Sequence, residues 1–103
     1  MKLHWENPKG SEPQTTEALA ALVRAEGRLG TEWYLDADTG LRCFWGVVEN
    51  WMVVKGDRTR SRMLEGEDAA TLWQAGLDAA DNDAFQGTPE QRAEWAARVL
   101  ESL

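Results

Sequence analysis

Cysteine, histidine and tyrosine occur once each in this chain, and proline three times. A lone Cys43 excludes a disulfide framework within one chain. Two such thiols can pair between chains, but a reducing cytoplasm is the simpler setting. One Cys and one His cannot complete a structural zinc site, so no metal or other cofactor is expected. Long apolar runs are missing too: the opening Met-Lys-Leu-His-Trp-Glu-Asn-Pro is too polar for a signal peptide, and no later stretch approaches a membrane span. The expectation is a cytoplasmic protein with no membrane partner. Bases are absent from Glu65 to Asp83, where six acids stand without a single Lys or Arg.

What is present is enough to fold. A chain of 103 residues suits one domain with a modest core. Six Trp and a hydrophobic fraction of 43 % exclude a disordered acidic tail. The formal charge is −7, and its placement is uneven: Met1 to Leu64 balances nine acids with nine bases. Glu65 to Leu103 sets nine acids against Arg92 and Arg98, so the whole imbalance falls in the last third. Such a field repels nucleic acid and membrane phosphates and attracts surfaces that bind them. It argues against direct nucleic-acid binding and for a protein partner with a basic face.

Residues 1–13, punctuated by Pro8, Gly10 and Pro13, read as an irregular arm ahead of one globular domain over 14–103. Ser11, Thr15 and Thr16 are candidate caps for a first helix with the stripe Leu19, Leu22, Val23. Gly27 is placed to end it, and Arg24 and Arg28 lie where its dipole favours cations. Trp33-Tyr34-Leu35, Leu41 to Val48, Trp51 to Val54 and Met63-Leu64 are rich in aromatic and β-branched residues between turn-forming ones, which suggests an antiparallel meander. Within it, Phe44, Val48, Trp51 and Met52 also share a helical face; the two Val, two Trp, Gly46 and Asn50 make that helix intrinsically poor, so strands are preferred. A helix is expected from Glu67 to about Ala80, with Ala69, Leu72, Trp73, Gly76, Leu77 and Ala80 inward. The closing helix has a clear start in Thr88 (cap), Pro89 (first position) and Gln91 (capping box). Its expected stripe is Trp95, Ala96, Val99, Leu103, with Glu94 and Arg98 paired outside. The fold class that follows is α+β: an N-terminal helix, a small antiparallel β-meander and two C-terminal helices packed on it. The alternative is mostly α with one hairpin.

Catalytic signals are weak. Cys43 has only His4 as a candidate base, and a cysteine between Leu41 and Phe44 reads as a small core residue. No Ser/His/Asp constellation, phosphate-cradling glycine loop or dinucleotide fingerprint is present, so the chain is read as non-enzymatic. Asp36-x-Asp38-x-Gly40 resembles the start of a calcium loop, but the later ligands are missing, and Asp and Gly are what a tight turn needs. Asp78, Asp81 and Asp83 read as a solvated helix end rather than a cation site. Arg58, Arg60 and Arg62 alternate and would align on one face of a strand, which makes them candidate phosphate-binding residues or protection for a sheet edge. Trp5, beside His4, is either an exposed anchor or a latch for the arm.

Gly27-Arg-Leu-Gly30, followed by Asp36-Ala-Asp-Thr-Gly-Leu-Arg-Cys-Phe-Trp-Gly-Val-Val48, is similar to a family of small phage and prophage proteins. The family pattern runs G-x-Y-x-Q, a turn, C-C-L-G-V-L, W-x-G-L, an Asn-Asp pair and a closing I-x-x-x-L helix. The counterparts here are Trp73 to Leu77, Asn82-Asp83 and Val99 to Leu103. Arg42 stands where the pattern has a cysteine, and the spacing before the last helix differs. The resemblance lends no catalytic residue; it implies a bacteriophage or mobile-element origin. With the charge asymmetry it yields a functional expectation: a phage-encoded inhibitor of a nucleic-acid-handling host protein, of anti-CRISPR, anti-defence or host-takeover type. Glu65, Glu67, Asp68, Asp78, Asp81 and Asp83 would bind the partner. The alternatives are an immunity protein against a basic toxin, a nucleic-acid or nucleotide binder using the Arg58/Arg60/Arg62 stripe, and a thiol enzyme using Cys43.

Overall fold

A computed structural model describes residues 1–5, 8, 10, 12–31, 35–52, 70–72, 74–75 and 87–103, with the backbone alone given for 49–52. Its main elements are three helices, α1 (Thr16–Glu26), α2 (Phe44–Met52) and α3 (Pro89–Glu101). Residues 70–72 and 74–75 are helical as well, with Leu72 and Ala75 buried, inside the span expected for a helix. Among the described residues there is no sheet, only isolated bridges, and the protein is predominantly helical.

The boundaries of α1 and α3 follow from their caps. Thr15 is extended and its Oγ1 accepts from the Ala18 amide at 3.1 Å. Gly27 closes α1 in the left-handed region (φ +80°), with its N–H donated to the Val23 carbonyl; a residue with a Cβ would be strained there. Thr88 and Gln91 form a reciprocal capping box: Thr88 Oγ1 accepts from the Gln91 amide at 3.1 Å, and Gln91 Oε1 accepts from the Thr88 amide at 2.8 Å.

The middle of the chain departs from the expected meander. Leu41 to Val48 is not a strand: the chain leaves extended backbone after Arg42 and enters α2 at Phe44. The preference for strands over Cys43 to Met52 is therefore corrected. The reason is burial. A helix puts Phe44, Val47 and Val48 into one core with Cys43 and Trp45, and this outweighs the low intrinsic helicity of β-branched and aromatic residues. A strand would have turned Val47 and Val48 to opposite sides. Arg42 keeps the extended character, bridging Leu29 in parallel and Leu35 antiparallel. Gly30 donates to the Arg42 carbonyl at 2.9 Å, and a Cβ on Gly30 would stand 3.1 Å from Leu41 Cβ, a tight contact that Leu41 would have to relieve by a few tenths of an ångström. In the Leu35–Arg42 turn the Asp36 carboxylate serves the backbone: its Oδ1 accepts from the Asp38 amide at 2.9 Å, and Gly40, at φ +73°, donates to the Asp36 carbonyl at 2.7 Å. This is the turn reading of Asp36-x-Asp38-x-Gly40.

The arm is irregular but not detached. Leu3 and Trp5 are buried, the Leu3 amide donates to the Gln14 carbonyl at 2.8 Å, and the Trp5 indole N–H donates to the Pro13 carbonyl at 2.7 Å. Trp5 is thus the latch, and the exposed-anchor reading is set aside. The core gathers Leu3, Trp5, Leu19, Ala20, Val23, Leu29, Phe44, Val47, Val48, Leu72 and Leu100 with the three alanines of α3.

The inward face of α3 includes Ala96, as expected, but is rotated away from Trp95. Ala93, Ala96, Ala97 and Leu100 are buried, while Trp95 (43 %) and Leu103 (37 %) are exposed and Val99 is half-buried. The helices α1 and α3 form the principal packed pair. Alanines let their backbones approach closely, which a tryptophan in the seam would prevent. At the start of α3, the Leu29 amide donates to the Pro89 carbonyl at 3.0 Å and ties α3 to the chain leaving α1.

Candidate functional site

The acids expected to bind a partner, Glu65, Glu67, Asp68, Asp78, Asp81 and Asp83, lie outside the described residues. So do Arg58, Arg60 and Arg62, the candidate phosphate stripe or edge guard. The remaining carboxylates of the acidic third are Glu90, Glu94 and Glu101, all on α3. Their surroundings show how the protein distributes its negative charge.

Arg24, in the last turn of α1, reaches across the alanine seam and grips two of them. Its Nη1 and Nη2 each donate to Glu101 at 2.7 Å, and its Nε and Nη2 donate to Glu94 at 3.0 and 3.1 Å. Seven residues separate Glu94 from Glu101, so one helical face presents both to the same guanidinium. Arg98 adds a second cation to Glu94 at 3.3 Å, in the expected i,i+4 pairing. Arg28, just past the Gly27 cap, pairs with Glu90 at 3.0 Å. Three carboxylates thus meet three guanidinium groups, two of them from the N-terminal half. Forked arginine–carboxylate contacts of this kind are charge-assisted and geometrically specific.

The protonation equilibria record the same contacts. Hydrogen bonds from Arg24, then Arg98, hold the Glu94 carboxyl below the ordinary carboxylate range, and Arg24 does the same to Glu101. Glu90 is lowered first by its own backbone amide at the helix start and then by Arg28. The Arg24 guanidinium is pushed well above its ordinary value by Glu101 and then Glu94. All these side chains face solvent, so the network contributes little to stability by itself; its main effect is on the field.

At the far end of α1, the Met1 ammonium donates to buried Thr16 Oγ1 at 2.7 Å and lies 3.6 Å from Glu17. Cys43 sits in the core cluster, whereas a nucleophile must meet its substrate; His4 is exposed on the arm. Among the described residues, no group of three or more His, Cys, Asp or Glu is placed to hold a metal ion, and no helix is long and apolar enough to cross a membrane.

Arg24 and Arg28 escaped the sequence reading, which assigned them only to the dipole of α1. Their partners lie 62 or more positions downstream, and no local spacing announces such a pairing. Compared with known proteins, the chain matches no family model, no curated protein and no solved structure.

Proposed function

We propose that this chain is a small, non-catalytic interaction protein of bacteriophage type. In this reading it inhibits a nucleic-acid-handling host protein, such as a CRISPR effector, nuclease or polymerase. It does so in the bacterial cytoplasm by offering Glu65, Glu67, Asp68, Asp78, Asp81 and Asp83 to the basic face on which that protein binds nucleic acid. The observation that carries the reading is the charge distribution. Six of the seven net negative charges belong to 65–83, where no base intervenes. The carboxylates of α3 are already matched by arginines, so they add little to the field. A partner with a basic face would therefore be steered to 65–83, with fast association that weakens as salt rises.

Two further elements belong to the same proposal. The motif pattern shared with small phage proteins supplies the mobile-element origin. The α+β assignment stays part of the proposal; Trp33-Tyr34 and Met63-Leu64, two of the expected strands, lie outside the described residues. The same charge distribution suits an immunity protein against a basic toxin, and the identity of the captured protein separates the two.

The test is capture from a bacterial lysate with the wild-type chain and with Asp78→Lys/Asp81→Lys. The expected result is a basic, nucleic-acid-binding protein held by the wild type, released by salt and lost with the reversed charges. Capture unchanged by the double reversal would overturn the proposal.

A further inference from the structure

An acidic C-terminal third would ordinarily offer basic partners two landing sites, the segment 65–83 and the outer face of α3. The second is cancelled from within. Arg24 covers Glu94 and Glu101 with four hydrogen bonds of 2.7–3.1 Å, Arg98 adds to Glu94, and Arg28 takes Glu90. Opposite charges about 3 Å apart act at a distance as a compact dipole, whose field falls faster than that of a bare carboxylate and is damped further by salt. The one other cation on α3, Arg92, is buried, and each of the three solvent-facing carboxylates of α3 is paired with at least one arginine.

The geometry points to Arg24 and Arg28 as internal counter-ions that keep the outer face of α3 electrically silent toward a basic partner. This silencing does not depend on the function proposed above. Arg24 is the more important of the two because its fork meets both carboxylates at once; among the described residues, a neutral residue there leaves Glu101 with no hydrogen-bonded cation and Glu94 with Arg98 alone.

Titration with oligo-lysine at low salt, followed by backbone amide shifts in the intact protein, tests this without any natural partner. In the wild type the amides of 89–101 should stay in place as the peptide is added. In Arg24→Gln/Arg28→Gln they should move, and Arg24→Lys/Arg28→Lys, which keeps both charges, should behave as the wild type does. Movement of the wild-type α3 amides by oligo-lysine would overturn the inference, and so would a folded neutral variant whose α3 amides stay still. The wild-type arm decides the matter even where a variant fails to fold. If the functional proposal alone is wrong, lysate capture fails while this titration still gives the expected pattern.

Discussion

Phe44→Ala probes the least expected element of the fold, because Phe44 is the largest fully buried side chain among the described residues. As the first residue of α2, it places its ring edge-on to Trp45, with centroids 5.4 Å apart and planes at 89°. Truncation removes the transfer free energy of the ring and leaves a cavity that close-packed neighbours fill only in part. Together these cost about 3–5 kcal/mol. The lost edge-to-face contact falls within that range, at about 0.5–1.5 kcal/mol. In a domain of this size each kcal/mol lowers Tm by roughly 4–8 °C, so a fall of at least about 12 °C is expected. Urea unfolding should show the midpoint dropping with the slope unchanged. Leu35→Ala is the control: at 57 % exposure it should stay within about 0.5 kcal/mol of the wild type. A loss below about 1 kcal/mol for Phe44→Ala would refute the burial of α2.

Thr88→Ala should cost about 1 kcal/mol by thermal melting, and Gln91→Ala should cost less in that background than alone, because the capping box is reciprocal. Trp5→Phe removes the indole N–H, orphaning the Pro13 carbonyl, and leaves a smaller ring in a buried site, so a loss of at least about 1–3 kcal/mol is expected in urea; no loss would contradict the latch. Gly27→Ala forces a Cβ into the left-handed cap and should destabilise by about 1 kcal/mol, whereas a gain would contradict that cap. The carboxyls of Glu90, Glu94 and Glu101 titrate lower in the folded chain than in the unfolded one. Their contribution is therefore full above the unfolded value near 4.3 and is lost as pH falls through the folded values. Acid titration of stability should thus fall less steeply for Arg24→Gln than for the wild type, and parallel curves would count against the contacts.

Local chemistry was the legible part of this protein. The caps at Gly27 and Thr88 and the turn at Asp36 are settled within a few residues of chain, so side-chain type and spacing suffice to place them, whereas Thr15 is one of three candidates with Ser11 and Thr16. Choices made by distant packing were not legible. Cys43 to Met52 carries residues of high β-propensity, and only the core assembled from Leu3, Leu19, Val23 and Leu100 makes a helix the better way to bury them. The face of α3 was misjudged for a similar reason. Trp95 and Leu103 are the larger apolar side chains, but the close approach of α1 selects the alanines. The site was legible as a charge imbalance only. That imbalance identifies where the bases are missing, yet it could not reveal that Arg24 and Arg28 neutralise the acids of α3, which narrows the anionic segment to 65–83.

Nucleic-acid displacement tests the central claim most directly. The captured host protein, loaded with labelled nucleic acid, is titrated with the wild-type chain and with a variant in which Glu65, Glu67, Asp68, Asp78, Asp81 and Asp83 are replaced by their amides. Release of the nucleic acid by the wild type but not by the neutral variant is the predicted result. A ternary complex in which the nucleic acid stays bound, or equal displacement by both chains, would contradict the account.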